Sequence, residues 1–403
     1  MAYGATPVLP PANSRETDLL RLIFSHKIKA VYLKNPEDHI KRILSFIRVK
    51  TLAQDSALQK TAYFSPVLVS AEQPALISFS SGTTGKPSAA IRTHQILKAQ
   101  HLALKQSFPP LPGQQDLPLF PNILLHNLSL GITTLIPDIP DLDVRETDPE
   151  KIIAQLLDEG IDSLTGNVHY FKILVSYLQK EKLILPSVKK LGIGGSPVPE
   201  YLPHLLQNYF VNASVYIIYG STQAEPIAVR QVTEERKNPS RGYFVGTVHP
   251  GIELRIISHL TNKEITGPND SGLVEVSGEH VVTQPGNKWL NTGDHGFLND
   301  KGELYLTGRS GNEGRLQGFQ HYQLEHVLAH VAGVNYAAAI YDPKGFRIYV
   351  QGKTPIRELK LALEKHFPAS IIGTVESIEK MPLDQRHYSK ILYKDLCIPN
   401  LKM

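Results

Sequence analysis

The stretch Ser78–Ala90, reading Ser-Phe-Ser-Ser-Gly-Thr-Thr-Gly-Lys-Pro-Ser-Ala-Ala, constrains this chain more than any other. It follows an apolar run (Ala75, Leu76, Ile77, Phe79) that reads as a buried strand, and Ile91 to Lys105 behind it have a helix-compatible composition. Strand, glycine- and hydroxyl-rich loop, then helix is an arrangement that wraps a polyphosphate. Gly82 and Gly85 let backbone N–H groups approach phosphate oxygens; Ser80, Ser81, Thr83 and Thr84 add hydroxyl donors, and Lys86 adds charge. The spacing excludes a Walker loop, which has four residues between its glycines and Ser or Thr after the lysine. Here two residues separate Gly82 from Gly85, and Pro87 follows Lys86. Such a loop taken alone also serves as a plain flexible turn, so the rest of the chain must decide.

The 403 residues can bury a large core, enough for two or three domains. With 42 basic and 38 acidic residues the net charge is +4, too mild to imply nucleic acid. The single cysteine, Cys397, rules out an internal disulfide framework and predicts a reducing, cytoplasmic setting. Leu117–Pro137 lacks charge but is broken by Pro118, Pro121, Asn122, His126 and Asn127, so it reads as a buried strand-and-loop region, not a membrane span.

Periodicity supplies the architecture. Asn13 and Glu16 form a candidate capping box for a helix reaching Ser25, and Ala30–Leu33 reads as the strand after it. Asp148–Asp158 places Ile152, Ile153, Leu156 and Leu157 on one helical face. Strands at Asp162–Leu164, Lys190–Ile193 and Val215–Ile218 alternate with helices at Tyr170–Leu178 and Glu200–Tyr209. That alternation predicts a layered α/β fold with mostly parallel sheets. After about Gly242 the runs turn β-type: Glu253–Ile257, Leu273–Val276 and Leu304–Leu306. A last α+β unit carries helices at Gln323–Val331 and Pro355–His366 with strands at Ala337–Tyr341, Arg347–Val350 and Thr374–Ile378. His326 and His330, four apart on the first of those helices, are expected to face solvent; neither HExxH nor HxxEH is present to make them a zinc site.

Five stretches in fixed order make the loop specific: Ser80–Pro87, Gly194–Val198 (Gly-Gly-Ser-Pro-Val), Tyr219–Gln223 (Tyr-Gly-Ser-Thr-Gln), Thr292–Asp294 with Gly308–Arg309, and a late Lys390. Their order resembles the adenylate-forming superfamily of acyl-CoA synthetases, peptide-synthetase adenylation domains and luciferases, over nearly the whole chain. The resemblance implies ATP and Mg²⁺ as cofactors and a small-molecule carboxylic acid as substrate. It implies that Ser81, Gly82, Thr83, Thr84, Gly85 and Lys86 hold the β- and γ-phosphates, and that Gly194, Gly195, Ser196, Pro197 and Tyr219 with Gly220 and Ser221 frame the adenine. Thr222 would contact the α-phosphate, Asp294 and Arg309 the ribose, and Lys390 the carboxylate and α-phosphate. It further implies a large domain over 1–308 (1–70, an α/β core at 71–241, a β-rich part at 242–308), a hinge at 309–312 centred on Gly311, and a small mobile domain over 313–403 carrying Lys390.

The end of the chain narrows the resemblance. Pro382–Ile391 reads Pro-Leu-Asp-Gln-Arg-His-Tyr-Ser-Lys-Ile, which looks like the β-lactone synthetases of olefin biosynthesis, where the acyl-adenylate of a β-hydroxy acid is closed by its own hydroxyl. A CoA or carrier-protein thiol as acceptor is the alternative, and a non-catalytic nucleotide- or acyl-binding subunit is the reading from another class. Gln223 stands where relatives carry a glutamate for Mg²⁺, Ser88 where they carry lysine, and Gly314-Arg315 where they carry Ile-Lys. Glu225, two residues after Gln223, is the candidate substitute metal ligand. The resemblance starts part-way through the family's large domain, at Tyr3–Leu9, which predicts that a second copy or a partner chain covers the face left open.

Overall fold

The computed structural model describes residues 4–10, 14, 16–32, 38–52, 66–80, 88–234, 238–384 and 388–396. The chain falls into two compact units, Met1–Gln95 and Ile96–Met403. In the first, α1 (Glu16–Ser25) and β1 (Ala30–Tyr32) precede α2 (Asp38–Phe46) and β2 (Lys50–Leu52). The two strands pair in parallel, and Ile23, Leu44 and Val49 make a small buried core. The helix ends at Ser25 as its periodicity predicts; Asn13 of the expected capping box lies outside the described residues.

β3 (Pro74–Ser80) and β4 (Ser88–Thr93) form an antiparallel hairpin with Ser80 opposite Ser88. This corrects the expected strand–loop–helix order: a second strand follows the loop, and α3 (His94–Ser107) starts only after it. β4 hides its pattern because its faces are inverted. Ile91 is 44% exposed, whereas Arg92 is buried and its guanidinium donates to the Ser78 hydroxyl at 2.7 Å. Residues 81–87 lie outside the described residues, so the structure leaves the phosphate-loop assignments as sequence expectations.

The second unit is built on a twelve-stranded sheet. Its parallel part consists of β5 (Gln115–Pro118), β6 (Thr133–Thr134), β7 (Ser163–Asn167), β8 (Lys190–Gly194) and the first half of a hairpin, β9 (Ser214–Ser221). Between them run α4 (Pro121–Leu130), α5 (Pro149–Asp158), α6 (Val168–Glu181) and α7 (Tyr201–Gln207). α5 begins where the sequence places it because the Asp148 carboxylate accepts from the Glu150 and Lys151 N–H groups and Pro149 needs no donor. Ile152, Ile153 and Leu156 enter the main core, but Leu157, expected on that face, is 57% exposed. α4 replaces the strand-and-loop reading of Leu117–Pro137. Pro121 opens it and Gly131, at φ +69°, closes it in the left-handed region.

The antiparallel part continues through β10 (Ala224–Gln231), β11 (Tyr243–Val248), β12 (Glu253–Ile257), β13 (Glu264–Ile265), β14 (Gly272–Ser277), β15 (Leu290–Leu298) and β16 (Glu303–Arg309). α8 (His321–Ala329) then packs between this part and a three-stranded sheet of β17 (Val334–Ile340), β18 (Phe346–Gly352) and β19 (Ile372–Ser377). α9 (Ile356–Glu364) covers that sheet, and α10 (Tyr393–Leu396) closes the described chain. Every residue of α8 from His321 to Leu328 is buried, which a helix must be when elements pack on all its sides. No helix among the described residues is long and apolar enough to cross a membrane.

Candidate functional site

The carboxyl ends of β7, β8 and β9 lie side by side, the edge of an open α/β sheet where ligands bind. Asn167 ends β7 and caps α6 by accepting the Tyr170 N–H at 2.9 Å. Gly194 ends β8 opposite Ile218, and a Cβ there would lie 2.7 Å from the Ile218 carbonyl oxygen. Gly195 turns at φ +79°, is exposed, and has the Phe120 ring 3.3 Å from where a Cβ would sit. Glycine is therefore favoured at Gly194 by backbone approach and at Gly195 by the left-handed backbone conformation. Ser196 and Pro197 follow, half-buried, and the Ser196 hydroxyl is buried without a hydrogen-bond partner.

Tyr219 and Gly220 sit at the end of β9, and Ser221, Thr222 and Gln223 make the turn into β10. A Cβ on Gly220 would meet the Ala224 carbonyl oxygen at 2.8 Å. The Ser221 hydroxyl accepts the Gln223 and Ala224 N–H groups, both at 3.3 Å, and the Gln223 carbonyl accepts the Val282 N–H at 2.7 Å. Glu225 is half-buried, and its carboxylate accepts from the Asn122 amide at 2.7 Å.

Three of the expected residues meet directly. β15 and β16 place Asp294 opposite Arg309, and the two side chains form an ion pair. The Tyr219 hydroxyl donates to the second carboxylate oxygen of Asp294 at 2.9 Å. Asp294 raises the Arg309 pKa above its ordinary value. Burial, then Asp294, pushes the Tyr219 hydroxyl well above the ordinary tyrosine range, so it remains a donor at neutral pH. The result is a carboxylate held rigidly at the sheet edge between a phenol and a guanidinium.

The chain around Lys390 is tied by its backbone to Asp384, and the chain three residues on, at Tyr393, is linked through Glu325 and His321 to the Arg309 backbone. Asp384, buried, accepts the Lys390 N–H at 2.8 Å and the Ser389 N–H at 3.2 Å, while its own N–H donates to the Lys390 carbonyl. Tyr388 packs edge-on against His169, 4.9 Å between ring centroids, and His169 Nδ1 is 2.9 Å from the Tyr336 hydroxyl. On the other side, the Tyr393 hydroxyl contacts both oxygens of Glu325, at 3.0 and 2.9 Å. His321 Nδ1 lies 3.0 Å from Glu325 and its Nε2 accepts the Arg309 N–H at 2.9 Å.

His326 is buried and His330, just past the end of α8, is half-buried, which corrects the solvent-facing expectation for His326; His321 is buried as well. His326 Nδ1 donates to the Pro239 carbonyl (2.9 Å) and its Nε2 accepts the Glu200 N–H (3.2 Å); burial lowers its pKa to about 3. Glu200 itself is paired bidentately with buried Arg230 at 2.9 and 2.7 Å. The only available sequence signal was the unusual density of polar residues on a helix that also carries Leu324, Val327 and Leu328.

The sequence profile of the AMP-binding enzymes matches residues 1–284. The chain belongs to the AMP-binding enzyme family. Within curated proteins this AMP-binding chain is 30% identical over 218 residues to an olefin β-lactone synthetase of Xanthomonas campestris pv. campestris, covering 53% of this chain and 37% of that one. It is 25% identical over 373 residues to an olefin β-lactone synthetase of Stenotrophomonas maltophilia, covering 81% and 67%. The matches thus span from about a third to two thirds of those relatives' length. The fold agrees with that of ATP-bound MatB from Rhodopseudomonas palustris at a TM-score of 0.77 and 20% identity, over 95% of this chain and 81% of that one.

Proposed function

We propose that this AMP-binding chain joins a carboxylic acid to AMP at the expense of ATP. The carboxylate oxygen bonds to the α-phosphorus as the bond from that phosphorus to the bridging oxygen breaks, and pyrophosphate leaves with the electron pair. The reaction asks the protein for position and charge rather than covalent chemistry. The observation that carries the reading is the joined group of Tyr219, Asp294 and Arg309 at the carboxyl edge of the sheet. In this reading Asp294 accepts from ribose hydroxyls, Arg309 fixes it and binds the same sugar, and Gly194, Gly195, Ser196 and Pro197 line the adenine beside the Tyr219 ring. Gly220 and Ser221 shape the turn that presents Thr222 to the α-phosphate. Lys390, as a point charge on a flexible stem, bridges carboxylate and α-phosphate. Ser81, Gly82, Thr83, Thr84, Gly85 and Lys86 grip the outer phosphates.

Among the described residues no three His, Cys, Asp or Glu side chains gather as a metal cage. Mg²⁺ held mainly by phosphate oxygens needs only one or two protein carboxylates, and Glu225, oriented by Asn122, fits that demand, with Gln223 two residues before it as a second oxygen donor if its amide turns the same way. Bound there, Mg²⁺ would neutralise phosphate charge.

Similarity to two proteins named olefin β-lactone synthetase favours a fatty or β-hydroxyacyl substrate whose own hydroxyl closes the ring and releases AMP. A carboxylic-acid panel scored for pyrophosphate release, with Lys390→Ala as control, tests the reading. Acid-dependent release lost in the variant supports it; no release with any acid leaves a nucleotide- or acyl-binding subunit. Product formation from a β-hydroxy acid without any thiol separates lactone closure from transfer to CoA or a carrier protein.

A further inference from the structure

We propose that Glu325 is a positioning residue for Lys390, acting through the Tyr393 hydroxyl; the proposal rests on the adenylation reading of Lys390. Glu325 is 3% exposed, on a helix wedged between apolar clusters where a carboxylate is costly unless it is paired. Its carboxylate is satisfied by partners from separate elements: Tyr393 on α10, the Ala339 N–H on β17 at 2.9 Å, and His321 on its own helix. Because His321 Nε2 accepts from the Arg309 backbone, its proton sits on Nδ1 and points at the carboxylate. One buried acid thereby ties the backbone of Arg309 to the chain three residues past Lys390.

The span between is short and already guided. Ile391 bridges to Leu383, and the Leu392 N–H donates to the Pro382 carbonyl at 2.9 Å. Lys390 is thus held by Asp384 on one side and by the Tyr393–Glu325 contact on the other. A lysine stem is flexible, so the reach of its ammonium is set by how firmly its backbone is fixed. Hydrogen bonds to an ionised carboxylate are the stronger kind and suit an anchor. Burial, then Glu325, keeps the Tyr393 hydroxyl protonated and therefore a donor.

Tyr393→Phe in the full chain tests this, since it keeps the ring that packs 4.9 Å from His321 and removes only the hydroxyl. Amide hydrogen exchange at Ser389 and Lys390 is expected to accelerate about tenfold, with β8 unchanged. The turnover number for pyrophosphate release should fall about tenfold at an unaltered KM for ATP. In a Lys390→Ala background the same change should cost nothing further, because two residues acting as one unit are non-additive. Glu325→Gln should reproduce the pattern. Equal fractional losses with and without Lys390 would overturn the proposal, as would unaltered exchange. Faster exchange in a chain that adenylates no acid refutes the adenylation reading and leaves the anchor standing; unaltered exchange in a chain that does adenylate refutes the anchor alone.

Discussion

Asp294 shows how much one side chain carries here. Its two oxygens are claimed by Tyr219 and Arg309, so its orientation is fixed before any sugar arrives. A preset acceptor costs no reorganisation when the ligand binds. Asp294→Asn removes the charge that both partners respond to, and frees Arg309 to rotate. ATP affinity, measured by calorimetry, should fall roughly tenfold, the worth of a hydrogen bond to a charged group. Tyr219→Phe should cost less, since the ring remains. Affinity within twofold of wild type in Asp294→Asn would remove Asp294 from the sugar site. Gly314 is fixed by packing: a Cβ there would sit against the Tyr341 ring, at 2.0–2.4 Å from its atoms. Gly314→Ala should therefore destabilise by about 1–3 kcal/mol in urea unfolding, the usual cost of overpacking. No loss would mean that Tyr341 has room to move aside.

Among the elements α8 is the least ordinary, a helix buried from His321 to Leu328 although four of its first six residues, His321, Gln323, Glu325 and His326, are polar. His326 on it is neutral, its pKa lowered to about 3 by burial first and by His330 and Arg230 next, with Glu200 and Tyr243 also packed around it. The unfolded chain, with an ordinary histidine near 6.5, binds more protons than the folded one between these two values. Stability is therefore fully present above pH 6.5 and falls as the pH drops toward 3, by roughly 2 kcal/mol at pH 5 from this residue. Burial gives His126 and His295 the same sign, with values of about 4 each. His326→Gln can still donate and accept, so it should be weaker at pH 8 yet lose about 2 kcal/mol less between pH 7 and pH 5. An unchanged pH slope would show that His326 does not titrate as a buried group. β12 is found at Glu253–Ile257 as its alternation predicts, and α5 starts at its Asp148 cap with Ile152, Ile153 and Leu156 facing inward. α4 and β4 escape because they invert that rule: Leu125 and Leu128 face out while Asn127 turns in to Asp116 at 2.6 Å, and Arg92 points inward. Tyr219, Asp294 and Arg309, singled out in separate motifs, do meet in space; the links of Glu325, Tyr393 and His321 leave no such trace in the sequence, since their meaning lies in contacts between distant positions.

In the second unit as a whole, the sheet changes from parallel to antiparallel at the β9–β10 hairpin, and the Tyr219–Gln223 motif is that change of direction. Asp294 and Arg309 come from strands further along the same sheet, and the chain leaves β16 immediately through Ser310 and Gly311. Both ends of that exit are fixed. Ser310 donates to the Gly293 carbonyl at 2.8 Å, and buried Asn312 is clamped to β17 by the Ala339 carbonyl at 2.8 Å and the Tyr341 N–H at 3.0 Å. Between them Gly311 stands at φ +96° with nothing within 4 Å of a Cβ position, a conformation that side chains avoid for backbone reasons alone. If residues 313–396 turn relative to the large sheet between half-reactions, Gly311 is where the backbone can absorb it. Proline fixes φ near −65° and removes a donor, so Gly311→Pro cannot hold the observed turn. Nucleotide binding should persist, because Tyr219 and Asp294 precede the turn. Pyrophosphate release should fall at least about tenfold, because the clamp on Asn312, and with it the Lys390 segment, loses its register. Gly311→Ala should sit between, strained by about 1 kcal/mol but able to turn. Turnover at wild-type rate in Gly311→Pro, with ATP still bound, would place the pivot elsewhere in the chain.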